Sequence, residues 1–184
     1  AEDAKTHPLS GVPTNYSVSA KNGTIDYLPG GESESKIETA EGYRMELFAS
    51  EKEFPELANP SQIAFDNKGR LWVATMPSYP HYQIGDPKPA DKLLIFEDAD
   101  GDGKADKDWP FVQEEFLRCP MGVAVIDNKV VVSMTPDMIV YTDVDRNLKF
   151  EPEIDKREVL LTGFNGRIHD HSLHSVTVGP DGQW

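Results

Sequence analysis

The sequence predicts an all-β chain assembled from repeated sheets, the pattern of a β-propeller. Three observations carry that prediction. A strand–turn–strand unit occurs three times, an aspartate-rich loop occurs twice, and 14 prolines and 14 glycines are spread so that no long helical pattern survives. Repeats of roughly 45 to 55 residues built from short strands belong to propellers or related arrays.

Residues 1–41 are polar, rich in Ser, Gly, Thr, Lys and Glu, and hold few large apolar side chains. They read as an extended N-terminal arm that is too poor in apolar surface to build a core of its own. From Gly42 the texture changes, and residues 42–184 read as propeller blades. Tyr43-Arg-Met-Glu-Leu-Phe48 alternates and predicts a strand. Ile63–Phe65 and Leu71–Thr75 predict a hairpin around the turn Asp66–Gly69, where Asn67 and Gly69 suit unusual backbone angles. The unit returns at Met121–Ser133, with its turn at Asp127–Asn128, and again at His174–Trp184, 53 residues after the second copy. Leu93–Phe96 predicts a buried strand and Glu158–Thr162 another. This amounts to two complete blades and the start of a third. A closed propeller needs at least about four blades, so the expectation is a fragment completed by remaining blades or by another chain.

The acidic loop Asp98-Ala-Asp-Gly-Asp-Gly-Lys-Ala-Asp106 predicts a Ca²⁺ site. Its ligands would be Asp98, Asp100, Asp102, the Lys104 carbonyl and Asp106, because Ca²⁺ takes six to eight oxygens in flexible geometry. Four carboxylates packed without a cation repel one another. The loop is not an EF-hand, which needs a bidentate glutamate at position twelve, where this chain has Trp109. The loop recurs 45 residues on, measured from Leu94 to Ile139, and keeps Asp143, Asp145 and Asn147. Leu148 replaces the glycine of the first copy, which predicts a weaker site or a relic.

The formal net charge of −14 argues against nucleic acid and anionic membrane surfaces as partners. One cysteine, Cys119, excludes an internal disulfide, a Cys-x-x-Cys-His haem attachment and a cysteine-rich zinc site within these residues. No run of about 18 apolar residues is present, so no membrane-spanning helix is expected. These features suit a periplasmic or secreted protein whose leader, if it ever had one, has been removed.

Arg167-Ile-His-Asp-His-Ser-Leu-His174 holds three of the five histidines. His169 and His171 would share one face of a strand, and the repeat places the run just before an inner strand. His169, His171 and His174 are candidate bases, with Arg167 beside them. Tyr79 and His81 lie in a proline-rich loop and are candidate sugar contacts through stacking and hydrogen bonds.

Five stretches in order carry a resemblance: Gly42–Ser50, Ala64–Val73 with Tyr79-Pro80, Phe96–Asp106, Glu158–Phe164 and Val178–Gly182. Residues of about 42–184 resemble the membrane-bound dehydrogenase family of glucose/sorbosone dehydrogenase-like β-propellers, which are often fused to a c-type haem domain. The resemblance implies a quinone- or haem-linked sugar or alcohol dehydrogenase. Ca²⁺ and either pyrroloquinoline quinone or c-type haem would serve it, the redox group being supplied by another domain or chain such as a cytochrome c domain. The substrate would be a carbohydrate or small polyol, with a histidine of the 169–174 run taking the hydroxyl proton. Two other readings stand beside it. One is a non-catalytic, calcium-stabilised propeller that binds carbohydrate or protein in a larger complex. The other is a propeller hydrolase or lyase acting on a lactone or polysaccharide.

Overall fold

The computed structural model describes residues 28–77, 91–164 and 173–183. Contacts divide the chain into two units, Ala1–Leu47 and Phe48–Trp184. In the first, the described residues form one short helix, α1 (Gly30–Glu34), followed by turns. The second holds eight strands: β1 (Pro60–Phe65), β2 (Leu71–Thr75), β3 (Lys92–Glu97), β4 (Lys107–Val112), β5 (Gly122–Ile126), β6 (Lys129–Met134), β7 (Asp137–Thr142) and β8 (Lys156–Leu161).

The strands form two four-stranded antiparallel sheets in sequence order, β1-β2-β3-β4 and β5-β6-β7-β8. Each hairpin has a local reason. Gly69 takes φ +80° and Asp127 φ 53° at the two first turns. In the first turn the Asp66 carboxylate accepts the Lys68 and Arg70 amides at 2.8 and 3.1 Å, an aspartate pinning its own turn.

Side chains alternate between the two faces of each sheet. Trp72, Ala74, Leu93, Ile95 and Phe111 of the first sheet meet Val123, Val130, Val132, Ile139 and Tyr141 of the second in one buried cluster. The opposite face of the first sheet, Val73, Leu94 and Phe96, is covered by Phe48, Phe54 and Leu57. On the far face of the second, Ala124, Val131 and Val140 meet Val176. Central strands buried on both faces read as continuous apolar runs, which is why Leu93–Phe96 was legible. Each such side chain contributes about 1.5–3 kcal/mol by leaving water. An aromatic row crosses the sheets: Trp72–Phe111 at 5.0 Å, Phe111–Tyr141 at 6.1 Å and Tyr141–Phe150 at 4.8 Å. Trp72 is thus a core residue, as is buried Cys119.

Three expectations need correction. Residues 43–48 form no strand; Phe48 instead accepts one hydrogen bond, from the Ala105 amide at 2.9 Å, and packs its ring on the first sheet. Alternation alone gives a strand only where a ladder partner is at hand. The helix α1 interrupts the expected arm. The third copy of the hairpin, over its described residues 173–183, carries no ladder, only a turn in which the Gly179 amide donates to the Gln183 carbonyl at 2.7 Å.

Candidate metal centres

Because both sheets run as simple meanders, the β1–β2, β3–β4, β5–β6 and β7–β8 turns all lie at one end. The two sheets share that end: Asn67, Lys68 and Arg70 of the first hairpin turn face Asp127, Asn128 and Arg146 of the second sheet across a polar cavity of about 200 Å³. Both aspartate loops are β3–β4 and β7–β8 connections and so belong to this end.

In the first loop Asp98, Asp100 and Asp106 bring carboxylate oxygens within 4.8 Å of one another. Backbone amides fix the arrangement. Asp98 accepts Gly101 N at 2.7 Å, Asp102 N at 3.2 Å and Gly103 N at 2.9 Å, and Asp106 accepts Ala99 N at 2.6 Å. Gly101 and Gly103 take φ +79° and +89°, which glycine adopts without a Cβ clash. Asp102 is outside the trio; its carboxylate turns to the Lys104 amide at 2.9 Å.

The second loop repeats this bond for bond. Asp143 accepts Asn147 N at 3.2 Å and Leu148 N at 2.9 Å, Asp145 accepts Asn147 N at 3.3 Å, and Asn147 accepts Lys149 N at 2.8 Å. Arg146 and Leu148 adopt φ 61° and 65°, the left-handed positions of Gly101 and Gly103. Loss of the glycine therefore leaves the loop's path intact, at a local cost of about 1–2 kcal/mol per residue. Trp109 helps hold the path, its indole donating to the Leu148 carbonyl at 3.2 Å.

Sequence reasoning missed one member. The grouped carboxylates are Asp143, Asp145 and Asp155. Asp155 accepts Val144 N at 2.8 Å, as Asp106 accepts Ala99 N, and it also accepts Glu151 N at 2.8 Å. Four extra residues separate it from the position the repeat predicts, so it stands twelve residues after Asp143 where Asp106 stands eight after Asp98. The signal was the acid–lysine pair that opens the last strand of each sheet, Asp106-Lys107 and Asp155-Lys156. Asn147 points its amide nitrogen at Asp145 and Glu151, at 3.0 and 2.7 Å. Asp143 and Asp155 are both buried. Burial pushes the Asp143 carboxyl above the usual range, and the neighbouring Asp155 adds to the rise. All of these donors are oxygens and most are anionic, the set that hard cations such as Ca²⁺ prefer.

The β2–β3 connection and the chain after β8 leave from the opposite end. Tyr79, His81, Arg167, His169 and His171 lie outside the described residues. His174 is exposed, and its carbonyl accepts the Ser133 hydroxyl. Nearby, the Ser61 hydroxyl lies 2.5 Å from the Pro120 carbonyl and Gln62 accepts the Val123 amide at 2.7 Å.

Residues 30–184 match a domain of unknown function, DUF7133. The chain belongs to that family. No curated protein matches it. Among solved structures it is similar to an iodide structure of a Trichoderma reesei carbohydrate-active enzyme of family AA12, at 18% identity and TM-score 0.53, over 77% of this chain and 31% of that one. A calcium structure of the same T. reesei family aligns at 20% identity and TM-score 0.45, over 68% of this chain and 27% of that one. The DUF7133 chain thus spans about a third of the length of the first of these, and at that identity the likeness is one of fold. Among the described residues no helix is long and apolar enough to cross a membrane.

Proposed function

We propose that this DUF7133 chain is the β-propeller portion of a secreted or periplasmic, quinone- or haem-linked sugar or alcohol dehydrogenase-like protein, with Ca²⁺ in its two acidic loops. The observation that carries this reading is the shared fold with a carbohydrate-active enzyme, found in a chain whose two sheets each place an oxygen-only acidic trio at the same end. The resemblance to glucose/sorbosone dehydrogenase-like propellers points the same way.

In this reading the loops have a structural task. A Ca²⁺ ion held by Asp98, Asp100 and Asp106, and another by Asp143, Asp145 and Asp155, would cancel carboxylate repulsion and tie each outer hairpin. Chemistry would fall to the candidates Arg167, His169 and His171, in the chain after β8, with Tyr79 and His81, in the β2–β3 connection. A histidine there would take the proton of a sugar hydroxyl, since imidazole titrates near neutrality. A bound quinone or haem would supply the electron acceptor. Cys119, the single cysteine, is buried and offers no thiol pair for covalent haem, so a c-type haem would come with another domain.

The test is dye reduction by the full natural chain with Ca²⁺ and added pyrroloquinoline quinone, across sugars and polyols. Sugar-dependent reduction that is lost in His169→Ala or His171→Ala, with circular dichroism unchanged, is the expected result. Carbohydrate binding without turnover would replace the reading with a binding module, and cleavage of a lactone or polysaccharide with a hydrolase or lyase.

A further inference from the structure

The two sheets correspond position for position, and the correspondence assigns a partner to a face that now lies partly open. The first sheet presents Ala64, Trp72, Leu93, Ile95 and Phe111 to the second. The matching positions in the second sheet are Ala124, Val131, Met138, Val140 and Leu160. Phe111 and Leu160 are matched by a shared irregularity. The β3–β4 ladder pairs Leu93 with Val112 and Leu94 with Pro110, leaving Phe111 as the extra residue. The β7–β8 ladder pairs Met138 with Leu161 and Ile139 with Val159, leaving Leu160. A bulge re-aims the side chain it carries.

Their surroundings differ. Phe111 is 1% exposed, wedged between Trp72 and Tyr141, and its carbonyl accepts the amide of Phe150, in the β7–β8 connection, at 2.7 Å. Leu160 is 48% exposed and Leu161 52%. With Met138 they line a cavity of about 490 Å³ whose other wall is Ser175, Val176 and Thr177. That wall is the start of the third repeat, with Val176 standing 53 residues after Val123 of β5. It is already seated as β5 is. Val176 packs on Ala124, Val131 and Val140, and the Ser133 hydroxyl donates to the His174 carbonyl.

We propose that the Met138–Leu160–Leu161 face is the docking surface for a third four-stranded sheet of the same polypeptide, begun by residues 174–178. That sheet would bring an apolar face with a large side chain in the place of Tyr141 and a backbone amide to the Leu160 carbonyl. The inference rests on the β-propeller part of the proposed function and not on its chemistry, so the dehydrogenase reading and this one can fail separately.

The experiment is maleimide labelling of Leu160→Cys in the full natural chain, with the labelled peptide located by mass spectrometry. Glu153→Cys, in an exposed loop, serves as the freely reacting control. Met138→Cys probes the same face should the first variant misfold. Position 160 is expected to react more than about tenfold slower than position 153 in the native protein, at every protein concentration. Equal reactivity would overturn the proposal, because the face would be open. Protection that vanishes on dilution would also overturn it, because the cover would then be a second copy of the chain.

Discussion

Asp66 shows how much one side chain organises. Its carboxylate accepts the Lys68 and Arg70 amides, the Arg70 guanidinium at 2.7 Å and the Trp72 indole at 3.1 Å. Burial alone would raise its pKa, but the Trp72, Lys68 and Arg70 hydrogen bonds together outweigh burial and hold the carboxyl below its ordinary value. A depressed folded pKa gives stability that is present above the unfolded carboxylate range near pH 4 and lost as pH falls through the folded value. Asp66→Asn should therefore destabilise by about 1–3 kcal/mol at neutral pH. It should also flatten the loss of stability on acidification, read by urea melts at pH 7 and at pH 3. An unchanged pH profile would remove Asp66 from this role. Gly122 is the second decisive residue. A Cβ there would lie 2.4 Å from the Ser133 hydroxyl, 2.5 Å from the His174 carbonyl and 2.8 Å from the Gln62 amide oxygen. Gly122→Ala should cost about 1–3 kcal/mol by overpacking the point where successive repeats meet, measured by thermal melting.

At the scale of elements, hairpins and buried strands were readable because their causes are local. Asn67-Lys-Gly69 and Asp127-Asn128 are turn chemistry, and Leu93–Phe96 is an apolar run. What escaped was non-local. Residues 43–48 alternate like a strand but find no ladder, and Asp155 joins the second acidic trio only because β8 carries it back beside Asp143. The Leu148 substitution looked like damage to the loop, yet Asp143 still accepts the Leu148 amide as Asp98 accepts Gly103. Arg146, in its left-handed conformation, makes a two-bond pair with Asp127, both at 2.6 Å. Because that pair is exposed, Arg146→Gly should leave stability nearly unchanged, relief of backbone strain offsetting the lost pair. A larger loss in urea melts would mean that the pair, and not the backbone, sets the loop. The histidine candidates were suggested by repeat alignment alone, and His169 and His171, like Tyr79 and His81, lie outside the described residues.

At the scale of the molecule, the net charge of −14 and two acidic trios at one end make cation binding the natural source of extra stability. The account's central claim is that the loops are one device in two copies, with Asp155 completing the second. An ion that binds only the folded chain stabilises each site by about 2.7 kcal/mol at a hundredfold excess over Kd, and 1 kcal/mol moves the melting temperature of a domain this size by about 2–4 °C. The direct measurement is calorimetric titration of the chelator-treated protein with Ca²⁺, beside Asp106→Asn and Asp155→Asn. The account predicts two ions per chain, one lost in each variant, and a melting temperature that falls on chelation and recovers with Ca²⁺. A single ion that survives Asp155→Asn, or no heat and no thermal shift in the unaltered chain, would contradict it.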